Sequence, residues 1–90
     1  MKSPLSAKDF EAPIVRESVA ELVVRRVLDM VKAGVLKPGD ALPPERDLAV
    51  TLNVSRPSVR EAMRGLTVLG VVRTRQGGGA YISDLSPDSL

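Results

Sequence analysis

The stretch Val54-Ser-Arg-Pro-Ser-Val-Arg-Glu-Ala-Met63 decides the fold of this 90-residue chain. Ser55 is a good N-cap for a helix, and Pro57 is tolerated in the first turn because the N–H it lacks would be unpaired there. Apolar residues recur from this point at helical spacing and predict a buried stripe: Val59, Ala62, Met63, Leu66 and Leu69. With Gly70 ending it, the pattern predicts a helix over residues 55–69.

A second helix is predicted immediately before this one. Pro43-Pro44 can open a helix, because proline lacks only an N–H that the first turn leaves unpaired. Its apolar side consists of Leu48, Ala49 and Leu52. Asn53 is a plausible left-handed C-cap, and Val54 starts the turn. Two helices joined by about two residues are typical of a helix-turn-helix.

A longer helix is predicted ahead of this pair, from Glu17 onward. Lys32 in the last turn matches the helix dipole, and Gly34 can close the helix. The turn signal at 37–40 then leads into a very short extended piece, Ala41-Leu42. The apolar face of the helix repeats with helical periodicity: Ala20, Val23, Val24, Val27, Leu28 and Val31.

The last part of the chain predicts two strands, over 71–75 and 80–83, with a hairpin tip between them at 76–79. The order is therefore helix, short strand, helix, turn, helix and hairpin. We predict a mainly α fold with a small antiparallel β-hairpin, a winged helix-turn-helix. The domain is expected to span 17–83, after a flexible N-terminal arm (1–16).

The composition excludes several classes of function. The chain has no Cys and no His, so it has no disulfide framework, no thiol nucleophile, no imidazole base and no zinc site of the usual ligand set. One Phe and one Tyr are too few for the stacking platforms that hold single-stranded nucleic acid. The acidic residues are scattered. We expect neither an enzyme nor a bound cofactor or metal, and the lack of a long apolar run predicts a cytoplasmic protein without a membrane span.

Positive charge is concentrated in one third of the chain. The net charge is +2, yet residues 46–75 carry six basic against two acidic side chains, a balance of +4. Every base in that third is Arg, whose planar fork suits phosphate and the guanine edge. This predicts contact with a polyanion, and a solvated helix face is the alternative.

Three arginines form a stripe opposite the apolar face of the third helix: Arg56, Arg60 and Arg64. Like charges at i, i+4 repel by about 0.2–0.5 kcal/mol per pair, so two such pairs predict a bound anion. In helix-turn-helix proteins the start of the second helix of the motif contacts base edges in the major groove of DNA. The side chains nearest the groove would then be Ser55, Arg56, Ser58 and Arg60. Arg64 is expected to contact the DNA backbone or to face solvent.

Two further charged residues have alternative roles. Arg46, near the start of the second helix, can reach a phosphate or a base edge, or can simply be an exposed Arg beside Glu45 and Asp47. Glu61 can pair with a neighbouring Arg and hold it in place, which is a structural role.

The hairpin tip contains Gly77-Gly78-Gly79, flanked by Arg73, Arg75 and Gln76. Glycine lacks Cβ and lets the backbone approach another molecule closely, as a wing entering a minor groove requires. Gln76 and Gly77 are the candidate contacts at the tip, and a flexible loop is the alternative. A nucleotide-binding loop is excluded because no Lys-Ser/Thr follows and the next element is a strand.

Three stretches together resemble the DNA-binding domain of GntR-family bacterial transcription regulators, over about residues 17–83. They are most similar to the FadR subfamily, particularly its pyruvate- and lactate-responsive members. Where many relatives carry a basic residue or His near the wing tip, this chain has Gln76 and then only Gly. The stretches are Gly34-Val-Leu-Lys-Pro-Gly-Asp-Ala-Leu-Pro-Pro-Glu-Arg-Asp-Leu-Ala49, Val54-Ser-Arg-Pro-Ser-Val-Arg-Glu-Ala-Met63 and Arg75-Gln-Gly-Gly-Gly-Ala-Tyr-Ile82, and the pair Leu69-Gly70 precedes the last of them.

The resemblance implies a winged-helix repressor or activator that binds a short palindromic operator in double-stranded DNA as a dimer. It also implies a C-terminal domain that binds a small acid and supplies most of the dimer interface. Residues 84–90 are then expected to be a linker towards that domain, which is absent from this chain. The full-length protein is expected to be a homodimer, nucleoid-associated when bound to DNA. Family contacts with DNA match Arg46, Ser55, Arg56, Ser58, Arg60, Gln76 and Gly77.

Two other functions stay open. A winged helix can bind protein through an exposed apolar patch, for which Val19, Leu22 and Met30 are candidates because they lie off the apolar face of the first helix. An enzyme is the least favoured alternative, because its chemistry would have to come from acidic residues that the sequence does not group.

Overall fold

A computed structural model describes residues 4–11 and 18–84 of the chain. The predicted fold class, mainly α with a small antiparallel β-hairpin, is confirmed, and the arrangement is a winged helix-turn-helix. Over the described residues no helix is both long and apolar enough to cross a membrane. The elements in chain order are a 3₁₀ helix at Ala7–Phe10, α1 at Val19–Lys32, α2 at Glu45–Leu52, α3 at Arg56–Val68, β1 at Val72–Thr74 and β2 at Ala80–Ile82.

The hydrophobic core lies on one face of α3, which packs against α1, α2 and β1. The side chains of Val59, Ala62 and Leu66 are completely buried. Each neighbouring element contributes apolar side chains to the same cluster, which includes Val27, Ala49, Met63, Val72 and Ile82. Burial of apolar area is the main favourable term in folding, so the orientation of α3 follows from this face.

The helix ends follow the local capping chemistry of the sequence. The backbone N–H of Ser58 donates to Ser55 Oγ over 3.2 Å, which confirms the predicted N-cap of α3. Asn53 has φ 56° and closes α2 in the left-handed region, also as predicted. The predicted start of the first helix at Glu17 is wrong, because Ser18 accepts the N–H of Glu21 and caps a helix that begins at Val19. Glu17 itself lies outside the described residues.

The hairpin is joined by backbone hydrogen bonds to the connection between α1 and α2. Ala41 forms a bridge with Tyr81 of β2, and the N–H of Leu42 donates to the carbonyl of Ala80 over 2.8 Å. The N–H of Gly39 likewise donates to the carbonyl of Ile82 over 2.8 Å. The predicted extended piece at 41–42 is confirmed, and its pairing with β2 places the base of the wing beside the start of α2.

Two sequence expectations need correction. Leu69, predicted in the buried stripe, is 57% exposed because α3 ends at Val68 and the chain turns at Gly70 (φ 79°). The strands are shorter than the predicted 71–75 and 80–83, although the N–H of Ser83 still donates to the carbonyl of Val71. Within the stretch predicted to be an arm, Ala7–Phe10 form an exposed 3₁₀ helix.

The domain limits 17–83, the flexibility of the arm and the linker at 84–90 stay predictions. Residues 1–3, 12–17 and 85–90 lie outside the described part of the chain.

The position of α3 depends on the side chain of Leu66, which is 0% exposed, whereas Val68 on the same helix is 85% exposed. We expect Leu66→Ala to lower the free energy of unfolding by about 2–5 kcal/mol, because it leaves a cavity at the centre of the core. Val68→Ala is the matched control and should change it by no more than about 0.5 kcal/mol. Urea denaturation followed by circular dichroism measures both, and equal effects would contradict the central position of α3.

Candidate nucleic-acid interface

The arginine stripe predicted on the third helix lies on the exposed side of α3. Arg56, Arg60 and Arg64 are all exposed, whereas Val59, Ala62, Met63 and Leu66 are buried on the opposite side. The separation follows from the helix repeat of 3.6 residues, because positions four apart share a face. The stripe therefore presents three guanidinium groups to solvent along one line.

Two shallow depressions join this stripe to α2 and to the hairpin. The first, of about 500 Å³, is lined by residues that include Arg46, Arg56 and Gly79. The second, of about 510 Å³, is lined by residues that include Arg60 and Arg64. Glu45 at the start of α2 and Thr74 at the end of β1 are among the residues that line both. The fold thus brings four predicted site residues to one continuous surface, here called the basic surface: Arg46, Arg56, Arg60 and Arg64.

The two predicted serine contacts bind each other at the start of α3. Ser55 Oγ accepts the backbone N–H of Ser58 and donates to Ser58 Oγ over 2.8 Å. Ser55 is exposed and Ser58 is half-buried. The Ser55 hydroxyl therefore has a structural role as the N-cap, and contacts of either serine with DNA stay predictions.

Acidic side chains accompany two of the four arginines. Arg60 Nε donates to Glu45 Oε1 over 3.4 Å, a contact between α3 and α2. Arg46 Nε lies 3.8 Å from Asp47 Oδ1, and both side chains are largely exposed. This ion pair agrees with the alternative of an exposed Arg beside acidic neighbours, and a contact of Arg46 with DNA stays a prediction.

The possible pairing of Glu61 with a neighbouring arginine is not formed within the described residues, where Glu61 makes no ion pair. Glu61 is exposed and lies about 100° around the helix from Arg60. The carboxylate that reaches Arg60 comes instead from α2, which packs across α3.

The hairpin presents a second group of basic side chains. The Arg75 guanidinium lies 4.5 Å from the centroid of the Tyr81 ring, a cation–π geometry, and Arg73 is opposite Tyr81 in the strand register. The ring of Tyr81 therefore supports the arginine next to the wing tip.

The wing tip is shaped by backbone conformation. Gly77, Gly78 and Gly79 have φ of 92°, 111° and 87°, and a Cβ at any of them would meet no other atom of the chain within 4 Å. Glycine is therefore required here for positive φ rather than for space within the molecule. Gln76 and Gly77 are exposed and line neither depression, so their contacts with DNA stay predictions.

No sequence signal indicates the Glu45–Arg60 contact, because the two residues are 15 positions apart and lie on different helices. Thr74, within the first predicted strand, likewise has no sequence signal for a position beside the arginines. Across residues 4–11 and 18–84 no group of three or more acidic side chains is placed to hold a metal ion.

The chain matches the family described as bacterial regulatory proteins, gntR family, over residues 19–82. This span covers all the elements from α1 to β2, including the basic surface. The chain therefore belongs to the GntR family of bacterial regulatory proteins.

One curated relative and two solved structures illustrate the similarity. The transcriptional regulator Mce2R of Mycobacterium tuberculosis is 46% identical over 72 residues, which are 80% of this chain and 30% of the relative. YtrA from Sulfolobus acidocaldarius, a GntR-family transcription factor, superposes with a TM-score of 0.74 and 25% identity, over 81% of this chain and 77% of that one.

The DNA-binding domain of AraR, solved in complex with operator ORR3, superposes with a TM-score of 0.71 and 23% identity, over 92% of this chain and 93% of that one. At this identity the similarity establishes the fold alone. The chain spans about a third of the length of curated relatives such as Mce2R.

The contribution of the α3 N-cap to stability can be tested separately from the effect of the arginine charges. We expect Ser55→Ala to lower the free energy of unfolding by about 1 kcal/mol, because the N–H of Ser58 loses its acceptor. Ser55→Asp should preserve stability, since Asp caps helices as well and its charge suits the helix N-terminus. Thermal denaturation at matched pH compares the variants. A loss with Ser55→Asp as large as with Ser55→Ala would contradict the capping role.

Proposed function

We propose that this chain is the sequence-specific double-stranded DNA-binding domain of a bacterial transcription regulator. In this proposal α3 lies in the major groove and the glycine-rich wing at 76–79 lies at the minor groove. The observation that carries it is the basic surface, where α2 and α3 present four arginines beside the hairpin while the opposite face of α3 is buried. A surface of this kind is complementary to the phosphate backbone.

The fold supports the same conclusion. The AraR domain with this fold was solved in complex with an operator, and family membership is established over residues 19–82. In helix-turn-helix proteins the recognition helix enters the major groove by its N-terminal part, which here is the part of α3 that begins at Ser55.

We assign the arginines by their position along α3. Arg56 and Arg60, in the first two turns, would read base edges, since an Arg fork binds guanine O6 and N7. Arg64, a turn further on, and Arg46, on α2, would bind phosphates. Ser55, Ser58, Gln76 and Gly77 would complete the contacts.

For the whole protein we propose a cytoplasmic homodimer on a palindromic operator, without enzymatic activity. The motif Ser55-Arg-Pro-Ser-Val-Arg-Glu-Ala62 supports assignment to the FadR subfamily, with a small acid such as pyruvate or lactate as effector of a further domain. Relatives such as Mce2R, of which this chain covers 30%, support the presence of such a domain. A lone DNA-binding domain would then bind one half-site weakly, because the second half-site contributes only through dimerisation.

A protein-binding function is the second candidate. Val19 and Leu22 are 45% and 51% exposed on α1, as predicted for an apolar patch, whereas Met30 is half-buried. The patch is therefore smaller than the sequence suggested.

Selection of bound duplexes from a random pool tests the proposed function directly. We expect one recovered sequence motif that matches a half-site, and a steep linear dependence of log K on log salt concentration, because phosphate contacts release counterions. The absence of any binding to duplex DNA at low salt would refute the proposal and leave the protein-binding candidate.

Single substitutions distinguish base contacts from phosphate contacts. We expect Arg56→Ala or Arg60→Ala to cost about 1–3 kcal/mol on the selected duplex and to relax preference at one base pair. Arg64→Ala should weaken all duplexes alike and reduce the salt slope by about 1. Arg26→Ala, an exposed arginine on α1, is the charge-matched control. Fluorescence anisotropy measures each affinity, and equal losses on selected and random duplexes for Arg56→Ala and Arg60→Ala would refute base reading.

A further inference from the structure

One carboxylate occupies the middle of the basic surface. Glu45 lines both depressions, the first together with Arg46 and Arg56 and the second together with Arg60 and Arg64. Its side chain is 39% exposed. A negative charge at this position opposes the approach of phosphate and weakens non-specific DNA binding. Its presence in the middle of a DNA-binding surface therefore indicates a second role.

The contact that Glu45 makes indicates that role. Its Oε1 accepts from Nε of Arg60 over 3.4 Å, and both side chains remain partly exposed. A guanidinium offers five donors in a planar fork, and occupation of Nε leaves the two terminal nitrogens available. An exposed ion pair of this kind contributes little to stability. The main effect of the Glu45–Arg60 ion pair is then on the orientation of the Arg60 side chain.

We propose that Glu45 is the positioning residue for Arg60 and thereby determines sequence specificity at one base pair. By holding Nε, the carboxylate limits the rotamers of Arg60 and directs its terminal nitrogens towards a guanine edge. It also lowers the attraction of Arg60 for phosphates, which occur at every sequence. Glu45 therefore lowers non-specific affinity for DNA and raises discrimination between base pairs. The inference rests on the proposed function.

Asp47 provides a matched control for this role. Like Glu45, it is an acidic residue in the first turn of α2, so its removal has the same effect on net charge and on the helix dipole. Its contact is with Arg46 and not with Arg60. Asp47→Ala therefore reports the loss of one acidic charge, together with the release of Arg46, while the contact of Arg60 with Glu45 stays in place.

The test measures affinities for the selected duplex and for duplexes substituted at the base pair where Arg60→Ala reduces preference most. We expect Glu45→Ala to reduce discrimination at that base pair by about three- to tenfold, the worth of one hydrogen bond, while affinity for random duplex rises. Asp47→Ala should raise affinity for all duplexes by one common factor. Glu45→Gln, which keeps an oxygen acceptor for Nε, should retain most of the discrimination.

The double variant Glu45→Ala/Arg60→Ala shows whether Glu45 acts through Arg60. We expect it to discriminate no worse than Arg60→Ala alone, because the positioned group is already absent. A further loss in the double variant would mean that Glu45 reads a base itself, for example by accepting from cytosine N4, and would overturn the proposal.

Three other outcomes also overturn it. These are unchanged discrimination in Glu45→Ala, a loss in Asp47→Ala equal to that in Glu45→Ala, and no base pair whose preference depends on Arg60. In each case duplex binding by the unaltered chain would leave the proposed function standing. If the unaltered chain binds no duplex at low salt, the proposed function fails and the inference fails with it. Circular dichroism confirms that each variant is folded.

Discussion

Burial of one face of α3 is the interaction on which the rest of the structure depends. Leu66, Val59 and Ala62 lose all contact with water, and α1, α2 and β1 all pack around them. Because a helix has 3.6 residues per turn, this burial also determines which residues face outward. The arginine stripe is exposed as a consequence of the same packing, so the core and the candidate interface are two sides of one helix.

The second constraint is the set of backbone hydrogen bonds between the 39–42 segment and β2. These bonds hold the base of the hairpin next to Pro44 and the start of α2. Without them the two depressions would lack one wall, because Thr74 and Gly79 come from the hairpin. The glycine-rich tip extends beyond this wall in a conformation set by three positive φ values. The wing is thus attached firmly at its base, and its contacts at the tip depend on a partner.

Most of the local structure could be predicted from neighbouring residues. The N-cap at Ser55, the left-handed Asn53 and the apolar faces of the helices are each encoded within a few positions, and the structure confirms them. The wrong predictions concern residues whose burial depends on the path of the chain beyond the local helical repeat. Leu69 fits the helical repeat and was expected in the core, but the chain turns at Gly70 before that side chain reaches it.

The order of the elements, the caps, the family resemblance and the clustering of arginine in one third of the chain all follow from spacing along the chain, so they can be predicted from the residues alone. Which charges meet depends on how the helices pack. Glu45 contacts Arg60 because α2 crosses α3, whereas Glu61, adjacent to Arg60 in sequence, lies about 100° around the helix from it. A contact across 15 residues depends on how two helices pack, and no local pattern of residues encodes that packing.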